Sequence, residues 1–295
     1  TYTVNHDEST HVQMAAGISL AGGYSGDFTA RDASANETII VDSSAEPENS
    51  WAALTCAVSF ASSSITSATV LDGFTVRGHD TGILGMAVYI IQGSPTIQNC
   101  NLIGGDGTNG SGILIRYYGS ATVLNNTISG SENVNNNVRG IYIFQQMSGA
   151  GATIIQGNTI NGQGLSSIEG NSCGIFLYEA SDITIENNSI TGGKCQLAYG
   201  IYIQSDCDNI EISDNILISG GSSTVNTIAI YTEQSTVISN NFITSGTGAD
   251  SFGIDTRTSG MSPEITGNTI EINTSSAVCR GIYILQSSPV VTGNT

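Results

Sequence analysis

The sequence predicts an all-β solenoid, a single parallel β-helix in which coils of roughly 26–30 residues stack on one another. One phrase recurs: "GIYIFQQMSGAGATIIQGNTINGQG" at 140–164 returns as "GIFLYEASDITIENNSITGG" and "GIYIQSDCDNIEISDNILISGG". The asparagines that open its Asn-x-Ile element are Asn101, Asn126, Asn158, Asn188, Asn215, Asn241, Asn268 and Asn294, at intervals of 25, 32, 30, 27, 26, 27 and 26 residues. Apolar residues inside the phrase alternate, the period of a strand, and no segment sustains helical spacing. With 36 Gly against 4 Pro and only 11% charged residues, the composition suits strands and tight turns.

Each element of the coil has its own cause. The first strand reads Gly-Ile-x-Ile, so its isoleucines point inward and the residue between them points out. A turn with Ser or Gly follows, and x-x-Thr-Ile forms the second strand. The Asn comes next, expected in the left-handed turn conformation it tolerates, with its amide bonded to the Asn above and below. Thr-Ile-x-Gly is the third strand, and a loop of variable length closes the coil. "SENVNNNVR" and "QGLSSIEGNSC" are long examples and "GTGADSF" a short one. Insertions gather where stacking is undisturbed, so a specific function is expected beside those loops. Residues 1–50 read as atypical coils and 51–295 as regular ones. A chain that opens on Thr1 and stops in mid-phrase at "VVTGNT" reads as a segment of a longer protein.

Charge narrows the partners. Seven Lys plus Arg against 25 Asp plus Glu give a formal charge of −18, a field that repels nucleic acid and anionic lipid. No stretch approaches the roughly 20 apolar residues of a membrane span. The six cysteines, Cys56, Cys100, Cys173, Cys195, Cys207 and Cys279, lack the spacings of a zinc module. Cys173 and Cys195 approach the starts of adjacent coils and are the expected disulfide pair.

The opening "TYTVNHDESTHVQMAAGISLAGGYSGDFTARDASANETIIVDSS", with its "GGYSGDF" and "RD…N.T.I" loop, and the following "ATVLDGFTVRG" carry a resemblance. They look like the N-terminal coils of the right-handed parallel β-helix, or pectate-lyase-like, proteins of the exported bacterial surface type. The resemblance extends over essentially the whole chain. It implies a right-handed coil and a secreted or cell-surface location. Because the fold hosts lyases, hydrolases, adhesins and inert fibres, it implies no single chemistry.

Glycosidases of this kind use close carboxylate pairs, yet the nearest approach here is Asp206-Cys-Asp208, in a turn. Lyases of this kind gather cations in one cleft. The sole lysine is Lys194, and Arg116 and Arg257 lie five coils apart, about 24 Å at ~4.8 Å per coil. His6, His11 and His79 precede the regular coils without a partnering Ser or Cys motif. No catalytic residue and no cofactor is assigned, and a polysaccharide lyase or glycoside hydrolase stands as the alternative.

Two constellations point instead to binding. Outward residues of the first strand form one row of Tyr89, Leu114, Tyr142, Phe176, Tyr202, Ala229, Asp255 and Tyr283. A second row holds Ile91, Arg116, Phe144, Tyr178, Gln204, Tyr231, Arg257 and Leu285. The aromatic members are expected to be partly open and to bind a protein partner, a copy of the chain or an extended glycan by stacking. Counted from coil starts at Gly174, Gly200 and Thr227, Glu179, Asp206 and Glu233 form an acidic column, and calcium is the ion such a column would take. A hydroxyl array on the third strand, Thr127/Ser129, Thr159/Asn161 and Ser189/Thr191, is interrupted by Leu102, Ile216 and Phe242. The sequence therefore describes a non-catalytic, structural or adhesive rod.

Overall fold

A strand that must pair with its own repeat one coil later can do so only in parallel, and the computed structural model sorts the three strands of each coil into three parallel sheets of ten. It describes residues 2–4, 12–42, 54–80, 84–106, 109–131, 137–164, 170–273 and 277–295. No helix occurs among them. In chain order a coil visits a short sheet, a long sheet and a third sheet. The short sheet runs from Tyr2–Val4 to Thr269–Glu271, mostly in three-residue strands. The long sheet includes Leu84–Gly93, Asn109–Gly119, Val138–Gln146, Asn171–Tyr178, Lys194–Ile203, Ser222–Thr232, Asp250–Thr256 and Val278–Ile284. The third runs from Ser19–Ala21 to Val290–Thr292.

Stacks of identical apolar residues fill the interior. Ile113, Ile141, Ile175, Ile201, Ile230 and Ile254 are successive partners in the long sheet and are fully buried. Val123, Ile155, Ile185, Ile212, Ile238 and Ile265 repeat the pattern in the third sheet. Burial of each such side chain is worth about 1.5–3 kcal/mol, and the β-branched shape suits the pleated surface.

The glycine that opens each phrase has a steric reason. In the long sheet the pairing steps over it, matching Arg139 with Cys173 and then Ile141 with Ile175. A Cβ on Gly174 would lie 2.5 Å from Ile190 Cγ2 and 2.7 Å from the carbonyl oxygen of Gly200. In the coil between Gly200 and Gly253 this place is held by Ala229, since Tyr199 pairs with Ile228 and Ile201 with Ile230. That coil starts at Ala229, not at Thr227.

The corner between the third and short sheets holds the asparagines. Asn126, Asn158, Asn188, Asn215, Asn241 and Asn268 are buried in one column. From each, the backbone N–H and Nδ2 donate to the Oδ1 of the next, as from Asn158 to Asn188 at 2.8 and 3.0 Å. The run ends with Asn268 donating to Asn294. Two expectations need correction. The left-handed residue is the one before each Asn, with φ of 53° at Asn125, 55° at Asn187, 53° at Asp214 and 68° at Gly157. Asn101 stands one place past the column, paired with Thr127, and Cys100 occupies the corner, its N–H donating to Asn126 Oδ1 at 2.9 Å. The same one-residue difference turns Leu102 inward, fully buried.

Candidate functional site: the outer face of the long sheet

In-register parallel strands stack like positions at coil spacing, so three outward rows run along the long sheet. The first is Tyr89, Leu114, Tyr142, Phe176, Tyr202, Tyr231, Asp255 and Tyr283. Tyr231 belongs here rather than in the second row, and Ala229 faces the core, 0% exposed. Taking Thr227 as the coil start slips this coil by two residues, which preserves the in–out alternation and leaves no mark in the polarity pattern. The second row pairs Arg116, Phe144 and Tyr178. Further along, Glu233 takes the place expected of Tyr231, its N–H bonded to the Ile203 carbonyl. A third row precedes the glycines: Ser111, Arg139, Cys173, Tyr199, Ile228, Phe252 and Arg280. Sequence reasoning missed it because the stepped-over glycine breaks the count of alternate positions.

The rings pack on one another. Tyr142 stacks on Phe176 at 5.2 Å between centroids and 14° between planes, and Phe144 stacks on Tyr178 at 5.5 Å. Phe176 meets Tyr202 at 4.9 Å, and Tyr202 meets Tyr231 edge-on at 4.9 Å. Tyr89 and Phe176 are buried, each 8% exposed, while Tyr142, Phe144, Tyr178, Tyr202, Tyr231 and Tyr283 are half-buried. Ring faces are thus largely used within the row.

Four of the six arginines join this face. The Arg139 guanidinium lies 4.2 Å from the Tyr142 ring centre and 4.9 Å from that of Phe176. Arg116 covers Tyr117 and Phe144, Arg280 covers Tyr283 at 4.3 Å, and Arg257 sits 5.6 Å from Tyr231 and 5.5 Å from Tyr283. Asp255, fully buried, accepts from Arg257 Nε at 2.9 Å and is ion-paired to its Nη2 at 2.5 Å. The Tyr231 hydroxyl donates to Glu233 at 3.1 Å. Burial pushes Tyr202 up to about 12, and burial followed by the Glu233 charge raises Tyr231. These phenols stay protonated near neutrality and act as hydrogen-bonding groups, not as bases.

A family model of the right-handed β-helix region matches residues 56–225 and 173–295. The chain belongs to that family. No curated protein sequence matches it. Among solved structures the β-helix is similar to the periplasmic alginate epimerase AlgG, at 12% identity and a TM-score of 0.42, over 80% of this chain and 47% of that one. It is similar to the Dettilon tailspike protein at 14% identity and a TM-score of 0.48, over 98% of this chain and 61% of that one. It is also similar to an alginate lyase from Paenibacillus sp. str. FPU-7, at 12% identity and a TM-score of 0.41, over 96% of this chain and 99% of that one. The β-helix spans about half the length of the epimerase.

The remaining expected sites of the β-helix fare differently. Glu179 and Asp206 share a corner with left-handed backbone, φ 49° and 60°. Glu233 stands only four residues past Ala229 and hydrogen-bonds Tyr231, so the acidic column is not assembled. Among the described residues no group of three His, Cys, Asp or Glu side chains is placed to hold a metal ion. Cys173 and Cys195 are buried free thiols, not a disulfide. His79 is buried, and His6 and His11 lie outside the described residues. The hydroxyl pairs of the short sheet border a groove of about 520 Å³ lined by Asn161, Gln163, Thr191, Lys194, Ser219 and Ser222. The interruptions in that array are Ile103, Leu217 and Phe242, outward partners of Ser129, Ser189 and Thr269. Among the described residues no helix is long and apolar enough to cross a membrane.

Proposed function

We propose that this β-helix is a secreted or cell-surface rod that binds an extended polysaccharide along the outer face of its long sheet. The carrying observation is the run of five half-buried rings, Tyr142, Phe144, Tyr178, Tyr202 and Tyr231, interleaved with Arg116, Arg139 and Arg257. Successive coils repeat this surface every ~4.8 Å, a spacing on the scale of one sugar unit in an extended chain. Phenol hydroxyls and guanidinium groups offer a line of donors to sugar hydroxyls, while ring edges offer apolar contact. Another protein or a second copy of the chain are the other partners such a face would suit.

One observation favours the alternative of a carbohydrate-active enzyme. The structure brings Glu233 and Asp255 onto adjacent coils beside Tyr231, two carboxylates near one point of the face. Asp255 is enclosed and engaged by Arg257, which leaves Glu233, bonded only through one oxygen to the Tyr231 hydroxyl, as the member of the pair that could meet a substrate. Polysaccharide binding and chain cleavage, measured on the native chain and on Tyr142→Ala with Tyr202→Ala, test the proposal. Binding lost in the double variant without cleavage supports it. Cleavage that Glu233→Gln abolishes transfers the function to the enzyme.

A further inference from the structure

The corner that holds the asparagine column takes two or three residues in each coil from Asp72 onward, whereas in the first described coil it takes residues 22–38. Both ends of this insertion are pinned, Ala21 pairing with Asp72 and Ile39 with Thr75, so it leaves and returns at one place as an Ω-loop. Its base is fixed: Arg31 donates from Nε to the Gly22 carbonyl at 2.9 Å and is ion-paired through Nη2 to Asp72 at 2.9 Å. Its tip is fixed too. Tyr24 and Arg31 form an antiparallel bridge, the Phe28 N–H donates to the Ser25 carbonyl, and Asp27 Oδ1 accepts from Ser25 Oγ, the Thr29 N–H and Thr29 Oγ1 at 2.6, 3.2 and 2.8 Å. What this frame presents is apolar. Phe28 is 78% exposed, more than any other large apolar side chain among the described residues, and Tyr24 is 41% exposed. Phe28 is held at φ 58°, a left-handed conformation that a bulky residue disfavours and glycine adopts freely. Neither its exposure nor its backbone gives folding a reason for the ring. The two rings meet at 6.2 Å and 39°, tilted rather than stacked, and Arg31 lies 6.0 Å over Tyr24. The faces of Phe28 stay open, unlike those of the long sheet.

We infer that the Tyr24–Phe28 loop is a separate sugar-binding site, in which a neutral pyranose stacks on the Phe28 ring and donates its hydroxyls to Asp27. The site is independent of the long-sheet face and stands without it. A pyranose with equatorial hydroxyls offers a C–H face to an aromatic ring and hydroxyl donors around its rim. The hydrogen bonds that Asp27 accepts from Ser25 and Thr29 all fall on Oδ1, which leaves Oδ2 for a ligand. Those same bonds, the Ser25 hydroxyl first, hold its carboxyl at about 2, so it is ionised at any physiological pH. Ser34 lowers the exposed Asp32 carboxyl in the same way. Two ionised carboxylates beside the rings repel uronates and anionic lipid. They also oppose insertion into an apolar protein pocket, which would strand the Asp27 charge. A neutral sugar suits both the open ring and the carboxylate.

The test is calorimetry with cellohexaose, whose equatorial hydroxyls leave both faces of each ring apolar, and with the same oligomer oxidised at C6 to glucuronate. It uses the native chain, Phe28→Gly, Asp27→Asn, and Tyr142→Ala with Tyr202→Ala, with melting temperatures read in parallel. The native chain is expected to bind cellohexaose and to discriminate against the oxidised oligomer. Phe28→Gly should bind at least about tenfold more weakly, yet melt no lower than the native chain, because glycine suits φ 58°. Asp27→Asn keeps an Oδ1 acceptor for the loop, so it should fold, bind cellohexaose more weakly and narrow the discrimination. No binding of cellohexaose, or equal binding by the native chain and Phe28→Gly, overturns the inference. A native preference for the oxidised oligomer overturns it too. Binding kept by Phe28→Gly and lost with Tyr142 and Tyr202 puts the sugar on the long sheet, which overturns the loop site and leaves the proposed function standing. A dimer in sedimentation that Phe28→Gly dissolves, without sugar binding, makes the loop a contact between copies and also overturns it.

Discussion

Asn215 accepts hydrogen bonds from the backbone N–H and Nδ2 of Asn188 and donates to Asn241 and to the Ile185 carbonyl, all in a dry interior. Its replacement by Ala is expected to cost about 1–3 kcal/mol through stranded polar groups, whereas Asn101→Ala, one place off the column, should cost no more than about 0.5 kcal/mol. Urea midpoints that fall equally for both variants would contradict the register. The chain announced this column through its spacing, but Cys100-Asn101 imitates the phrase, and only the pairing of Asn101 with Thr127 shows that the thiol holds the corner. The cysteines yield a second prediction. Burial pushes Cys56, Cys173 and Cys207 up to about 12 and Cys100 and Cys195 up to about 11, while Cys279 is exposed. Iodoacetamide at pH 8 should modify Cys279 alone in the folded chain, and rapid reaction at several cysteines would refute that placement. These thiols and the raised phenols hold protons in the folded state that the unfolded chain releases near 9 and 10. Stability is therefore intact below about pH 9 and should fall as pH climbs toward 12. A melting temperature that stays level from pH 8 to 11 would count against it.

At the scale of the strand, the glycine before each Ile-x-Ile decides where side chains go. Gly174 has no room for a methyl group, so Gly174→Ala should cost about 1–3 kcal/mol through overpacking against Ile190 and the Gly200 carbonyl. Ala229 occupies the same column in a coil already shaped for its Cβ, and there the reverse change, Ala229→Gly, should be the destabilising one, by about 1 kcal/mol. Thermal melts of the two variants check both signs. Short strands were legible because period-two alternation and apolar stacking depend on local sequence. The step over the glycine was not, since it is imposed by the neighbouring sheet. That step carries Arg139 and Arg280 onto the aromatic face, and a coil start at Ala229 rather than Thr227 places Tyr231 beside Tyr202, which is why the candidate site was only half visible from residue spacing.

Across the whole molecule, three sheets of ten strands form a stack in which each coil touches chiefly its neighbours, so the proposed working surface is a strip rather than a pocket. A chain with 25 acidic residues and seven basic ones sets four arginines on that strip, among rings that share their faces with one another. The proposed function lays an extended polysaccharide along this strip. Hydroxyl-radical footprinting of the chain with and without bound polymer tests it most directly, because oxidation of Tyr and Phe side chains reports their own cover. Protection of Tyr142, Phe144, Tyr178, Tyr202 and Tyr231 on binding, with exposed Tyr118 unchanged on the same molecule, is the predicted result. Unaltered oxidation of those five rings while residues lining the short-sheet groove, such as Lys194 and Gln163, become protected would contradict it.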